Sequence, residues 1–186
     1  MNVNYCLRRA RRFHGNRTAV HHEDQVLTYE DFYHRVDASA RRMAALGIRK
    51  GDRVAVLMAN SPAYLNLYFS IPLLGALIVP MNFRWHINEM AFTLNDAEAE
   101  YLFIDQVFAP LAPKLLEMAP GLKHILYYAP GDCPAGMTDF RTSSEDREMK
   151  RPEISAEALR GGWMHTGDMG SFDEEVSSTS WIARRT

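Results

Sequence analysis

Residues 53–81 read RVAVLMANSPAYLNLYFSIPLLGALIVPM, and their pattern sets the architecture. Arg53–Met58 is a short apolar run introduced by the turn pair Gly51-Asp52, which predicts a buried strand. Ser61-Pro62 then opens a helix, because serine can cap it and proline suits a first turn that needs no backbone donor. That helix runs to about Leu74, Gly75 turns the chain, and Ala76–Met81 is a second apolar strand. Strand, helix and strand in this order form a βαβ unit with parallel strands.

The alternation extends both ways. Upstream, Asp31–Leu46 has a helical period that puts Phe32, Val36, Ala40 and Met43 on one face and arginines on the other, with Gly47 as its stop. Before it, Ala19–Tyr29 reads as a hairpin turning at Glu23-Asp24. Downstream come a helix over Ile87–Asn95, a strand over Tyr101–Asp105, a helix over Phe108–Met118 and a strand over His124–Tyr128. The fold class is α/β: a mainly parallel sheet with helices on both faces. After Tyr128 the periodicity stops, and Pro130–Lys150 reads as a loop or linker. Beyond it only Ser155–Arg160 has helical character.

The 186 residues suit one ordinary domain, and 47% hydrophobic with 24% charged residues suits a packed core in water. A net charge of −2 gives no global pull toward nucleic acid or anionic membrane. Leu65–Met81 is interrupted by Asn66, Tyr68, Ser70, Pro72 and Gly75, so it is no membrane span. The N-terminus lacks the apolar region of a signal peptide. Cys6 and Cys133 are far apart without metal-ligand spacing and read as reduced thiols in a cytoplasmic protein. Leu7, Ala10 and Phe13 would share one side of a short basic helix, and docking on the domain's own core is preferred to a membrane-surface role.

Other chemistry-bearing residues favour structural readings. Adjacent His21 and His22 would point to opposite faces of a strand and could not share a metal. His14, His34, His86, His124 and His165 have no second ligand at helical or turn spacing. Ser61 has no Gly-x-Ser-x-Gly around it and is a cap, not a nucleophile. Arg8, Arg9, Arg11 and Arg12 read as a solvated basic face, and Tyr64, Phe69 and Trp85 as core and rim.

Three stretches, LTYEDF at 27–32, LLGALIVPMN at 73–82 and RPEISAEALRGGWMHTGDMGSFDEE at 151–175, together resemble the AMP-forming acyl-CoA synthetases. The fatty-acid–CoA ligase branch of that adenylate-forming superfamily is the most similar. The third stretch is the specific one, with Trp163 three residues before Thr166-Gly167-Asp168 and then Gly170-x-x-Asp173-Glu174-Glu175. The resemblance implies a two-step reaction. A fatty acid and ATP give acyl-AMP and pyrophosphate, then CoA gives acyl-CoA and AMP, with Mg2+ on the nucleotide. It implies that Asp168 accepts hydrogen bonds from both ribose hydroxyls of AMP, as an ionised carboxylate holding a vicinal diol can. Thr166 flanks it, and Gly167 would let the backbone approach closely.

Parts of the family pattern are not found here. Between Gly121 and Gly162 no Gly-rich run is followed by lysine, so nothing matches the phosphate loop, and Thr142–Asp146 places acids where positive charge is needed. The aromatic-Gly-x-Thr-Glu segment for adenine and magnesium is also absent from the sequence. In the family a domain-sized stretch separates the positions matching HILYY and RPEISAEAL, whereas here residues 129–150 do, which suggests an internal deletion near Ser143–Lys150.

After Glu175 the chain reads VSSTSWIARRT where the family continues into a Val-Asp-Arg-x-Lys-Asp hinge. Trp181 has the single codon TGG and isoleucine codons begin AT, so one alternative frame forces an aspartate there. With suitable synonymous codons that frame reads GLLYIVDRTKD, which points to a frameshift.

The expected organisation is therefore an N-terminal α/β subdomain over 1–130, a linker and deletion junction over 131–150, a poorly structured remnant of the ribose-binding region over 151–175, and a frameshifted tail over 176–186. No catalytic residue or metal site is assigned. The copy is expected to be inactive and to bind ATP, Mg2+, CoA and fatty acid unproductively. The alternatives are a non-catalytic module that pairs with a full-length relative through its sheet edge, or a decayed product without a role.

Overall fold

A computed structural model describes residues 3–141. The readings made on residues 142–186, Thr166, Gly167 and Asp168 among them, lie outside the described residues. The elements in chain order are α1 (Val3–His14), β1 (Thr18–His22), β2 (Gln25–Thr28), α2 (Tyr29–Ala45), β3 (Arg53–Leu57), α3 (Pro62–Leu73), β4 (Leu77–Pro80), α4 (Ile87–Asp96), β5 (Tyr101–Ile104), a 3-10 turn (Ala109–Leu111), α5 (Ala112–Met118), β6 (His124–Tyr127) and β7 (Thr138–Asp139).

Local chemistry starts these elements where the sequence places them. The Thr28 hydroxyl accepts the Asp31 N–H at 3.1 Å while Asp31 takes the Thr28 N–H at 3.2 Å, a reciprocal box that opens α2. The Ser61 hydroxyl accepts the Tyr64 N–H at 3.1 Å, with Pro62 in the first turn of α3. Glu23, at φ +50°, and Asp24 turn the β1–β2 hairpin, whose strands pair antiparallel. Gly75, at φ +76°, closes α3 into β4 in a conformation open to glycine at little cost.

β3 to β7 form one sheet in the order β4-β3-β5-β6-β7, with all four pairings parallel. Alternate residues along each strand feed opposite faces. Val54, Val56, Tyr101, Phe103 and Leu126 pack with Leu7, Phe32, Val36, Ala40, Met43, Leu67 and Ile71 from α1, α2 and α3. Ala55, Leu57, Leu102, Ile104, Ile125 and Tyr127 pack with Met90, Ala91, Leu94 and Leu115 from α4 and α5. Both faces are covered, so the expected α/β architecture and the four buried positions on α2 are found as read.

Three local differences have physical causes. The helix expected over Phe108–Met118 is a 3-10 turn followed by a short α-helix, because Pro110 and Pro113 each remove a backbone donor. On α1 only Leu7 of the expected trio is buried; Ala10 is half-buried and Phe13 is 64% exposed. The helix is seated instead by Leu7, by the Asn4 amide donating to the Phe69 carbonyl at 3.1 Å, and by Arg11 on Glu30.

After Tyr128 the chain returns to the sheet instead of running off as a loop. Leu126 and Tyr127 pair with Thr138 and Asp139, and Phe140, fully buried, donates its N–H to the Tyr127 carbonyl at 2.8 Å. The Phe140 ring meets Phe103 edge-on at 4.7 Å and Tyr128 at 5.2 Å.

Candidate functional site

In open parallel sheets ligands bind beyond the carboxyl ends of the strands. Here that rim consists of Met58–Ser61 after β3, Met81–His86 after β4, Asp105–Phe108 after β5 and Tyr128–Pro130 after β6. Asp105 organises it. Its buried carboxylate accepts the Ala59 N–H at 2.7 Å, the Val107 N–H at 3.0 Å and the Phe108 N–H at 3.2 Å. The charge is therefore committed to backbone donors and holds two neighbouring loops at fixed spacing.

Beside it, the Asn82 side-chain oxygen accepts the Arg84 N–H at 3.0 Å, and Glu89 takes the His86 N–H at 2.8 Å to start α4. Phe83 lies 6.2 Å from Phe108, a pair of rings leaning across the β4 and β5 loops. Half-buried Trp85 packs against the core cluster on the α4–α5 face of the sheet.

A second polar cluster lies where α2, α3 and the end of β6 meet. The Asn66 amide donates to the Ser39 hydroxyl at 2.7 Å and to the Tyr128 hydroxyl at 3.0 Å. The Asn66 side-chain oxygen is buried and finds no partner among the described residues. Two residues before Asn66 on α3, burial and then the neighbouring Tyr68 push the Tyr64 phenol up to about 12, so it is a neutral hydrogen-bonding group at physiological pH. Neither cluster presents an activated nucleophile beside a base.

Among the described residues no set of three His, Cys, Asp or Glu side chains is placed to hold a metal ion. His21 and His22 lie in β1 and His86 caps α4. Cys6 is exposed and Cys133 half-buried, both as free thiols. Asp105 and Asn66 were the positions that sequence reasoning did not single out. For Asp105 a signal existed: a lone acid directly after the apolar run YLFI, at the carboxyl end of a buried strand.

Residues 6–160 match the family of AMP-binding enzymes. The chain belongs to the AMP-binding enzyme family. A feruloyl-CoA synthase from Amycolatopsis is 38% identical over 138 residues, covering 72% of this chain and 28% of that enzyme. The peroxisomal trans-cinnamate:CoA ligase of Petunia hybrida is 34% identical over 148 residues, 80% of this chain and 23% of the ligase. The solved structure of a Mycobacterium tuberculosis fatty acyl CoA synthetase superposes with a TM-score of 0.66 at 26% identity, over 82% of this chain and 30% of that one. The chain thus spans about a quarter of the length of the curated AMP-binding relatives it matches. The described residues have the fold of part of the N-terminal domain of the adenylate-forming enzymes, and the relatives are acyl- and aryl-CoA ligases.

Proposed function

We propose that the chain derives from an acid–CoA ligase and that, as it stands, it does not complete adenylation. The ancestral reaction is activation of a carboxylic acid by ATP to acyl-AMP and pyrophosphate, followed by thioester formation with CoA. The matching relatives are named for feruloyl, cinnamate and butyrate groups, and a fatty acid is the substrate class that the joint resemblance of stretches 27–32, 73–82 and 151–175 implies.

One observation carries the inactive reading. Only residues 142–165, TSSEDREMKRPEISAEALRGGWMH, separate the last described residue from Thr166-Gly167-Asp168, and they contain no glycine-rich run followed by lysine. Adenylation draws its rate from fixed donors on the phosphoryl oxygens and from positioning. Asp168, with Thr166 and Gly167 beside it, would remain a ribose contact without the groups that hold ATP phosphates and Mg2+.

Pairing with a full-length relative through the sheet edge has weak support at β4. In the parallel ladder Leu77 and Met81 donate inward to β3, which leaves Ile78 and Pro80 facing outward, and Pro80 has no donor. That edge offers a partner strand one N–H.

Equilibrium binding of AMP and ATP to the full chain, beside Asp168→Ala, tests the proposal. The expected result is weak AMP binding lost in Asp168→Ala and no added affinity from the β- and γ-phosphates. ATP binding much tighter than AMP would contradict it. The nucleotide sequence after Glu175 tests the tail: a codon set reading Val-Asp-Arg-x-Lys-Asp in the neighbouring frame is expected, and any other reading removes the frameshift.

A further inference from the structure

The outward side of α1 carries an apolar stripe that the core does not use. Cys6 and Phe13 stand seven residues apart on the outward side, with Tyr5 and Arg9 beside them and half-buried Ala10 at the margin. Tyr5 is 62% exposed and Phe13 64% exposed, and a shallow groove runs between them past Arg9. The opposite side already seats the helix through Asn4, Leu7 and Arg11. The docking contacts therefore leave the outward stripe unexplained.

Its charge is one-sided. Residues 1–22 contain no Asp or Glu, while Arg8, Arg9 and Arg12 line the helix and Arg17 follows it. The Arg12 guanidinium lies 5.7 Å over the Phe13 ring, so cation and aromatic face stand together at the stripe's margin.

We propose that α1 lies on a membrane surface. Tyr5, Cys6 and Phe13 enter the boundary between headgroups and acyl chains, and Arg8, Arg9 and Arg12 meet anionic lipid phosphates. Charge decides the occupant. A second copy docking by the same face would bring these arginines against their own counterparts, which like-charge repulsion opposes. An anionic bilayer satisfies the arginines and the aromatics together, with long basic side chains reaching to the phosphates while the rings sit lower. Among the described residues no helix is long and apolar enough to cross a membrane, so the contact is peripheral. The proposal is independent of whether the chain activates an acid.

Vesicle co-sedimentation of the full chain tests it, with phosphatidylcholine vesicles and with vesicles that also contain phosphatidylglycerol. Wild type should pellet with the anionic vesicles and be released by salt. Tyr5→Ser with Phe13→Ser should lower the partition coefficient on the order of tenfold or more. Arg8→Gln, Arg9→Gln and Arg12→Gln should each cost roughly fivefold. In a Cys133→Ser background, an environment-sensitive fluorophore on Cys6 should shift to the blue with anionic vesicles, a readout that needs no disruptive variant. No blue shift, equal pelleting of wild type and variants, or a dimer in light scattering that Phe13→Ser abolishes would each overturn the proposal.

Discussion

Asp105, at the end of β5, accepts the Ala59 N–H at 2.7 Å and so ties the loop after β3 to the loop after β5. It takes two further N–H groups of its own loop, from Val107 and Phe108. Removing a charged acceptor leaves three donors to find water or go unpaired. Asp105→Ala should lower unfolding stability by about 2–3 kcal/mol, and Asp105→Asn by less, because the amide oxygen keeps part of the acceptor role. Urea unfolding followed by far-UV circular dichroism measures both; equal stability of Asp105→Ala and wild type would remove Asp105 as an organiser of the rim.

Phe140 packs edge-on against Phe103 at 4.7 Å although a Gly/Pro-rich loop separates it from β6. If this segment belongs to the lobe's core, Phe140→Ala should destabilise the protein by about 3–5 kcal/mol, the range for truncating a buried phenylalanine. A change under about 0.5 kcal/mol, ordinary for a surface site, would place the segment outside the cooperative unit. Chemical denaturation with near-UV detection reads the change.

Gly75 joins α3 to β4 at φ +76°, and a Cβ there would lie 3.0 Å from the Lys50 Cγ. The lysine stem can move, so the backbone term dominates. Gly75→Ala should cost on the order of 1–2 kcal/mol, and Gly75→Asn less than Gly75→Ala, since asparagine tolerates the left-handed region. Thermal unfolding of the pair checks the order.

Glu30 receives Arg11 through two contacts, Nε at 2.9 Å and Nη2 at 2.7 Å, and this pair helps seat α1 on α2. The Arg11 hydrogen bonds hold the Glu30 carboxyl below its ordinary range. The native state then binds the proton more weakly than the unfolded chain. The stabilisation is complete above the unfolded value of about 4.3 and fades as pH falls through the lower native one. The melting temperature of wild type should drop more steeply than that of Glu30→Gln below about pH 5. Parallel slopes would contradict this.

Much of the fold was legible because buried parallel strands are short apolar runs and caps are chemical. Val54–Leu57, Leu102–Ile104 and the Ser61 and Thr28 caps carry their own signals. Phe140 does not: one aromatic after an aperiodic loop has no period, and its burial is set by the distant Phe103 and Tyr128. Phe13 misled for the opposite reason. It continues a helical apolar pattern with Ala10, yet α2 and α3 approach α1 from the side of Asn4 and Leu7. The rim was half legible. A terminal Asp105 is visible in the sequence, while the Ser39–Asn66–Tyr128 cluster joins residues whose partners the chain separates widely.

The proposed loss of acid activation follows from the missing phosphate cradle before Thr166-Gly167-Asp168. Acid-dependent ATP–pyrophosphate exchange on the full chain tests it most directly, using ferulate, cinnamate, butyrate and longer fatty acids, with an intact acid–CoA ligase as positive control. Exchange indistinguishable from the no-acid blank for every acid is the predicted result. Exchange above that blank with any one acid, abolished in Asp168→Ala, would contradict it.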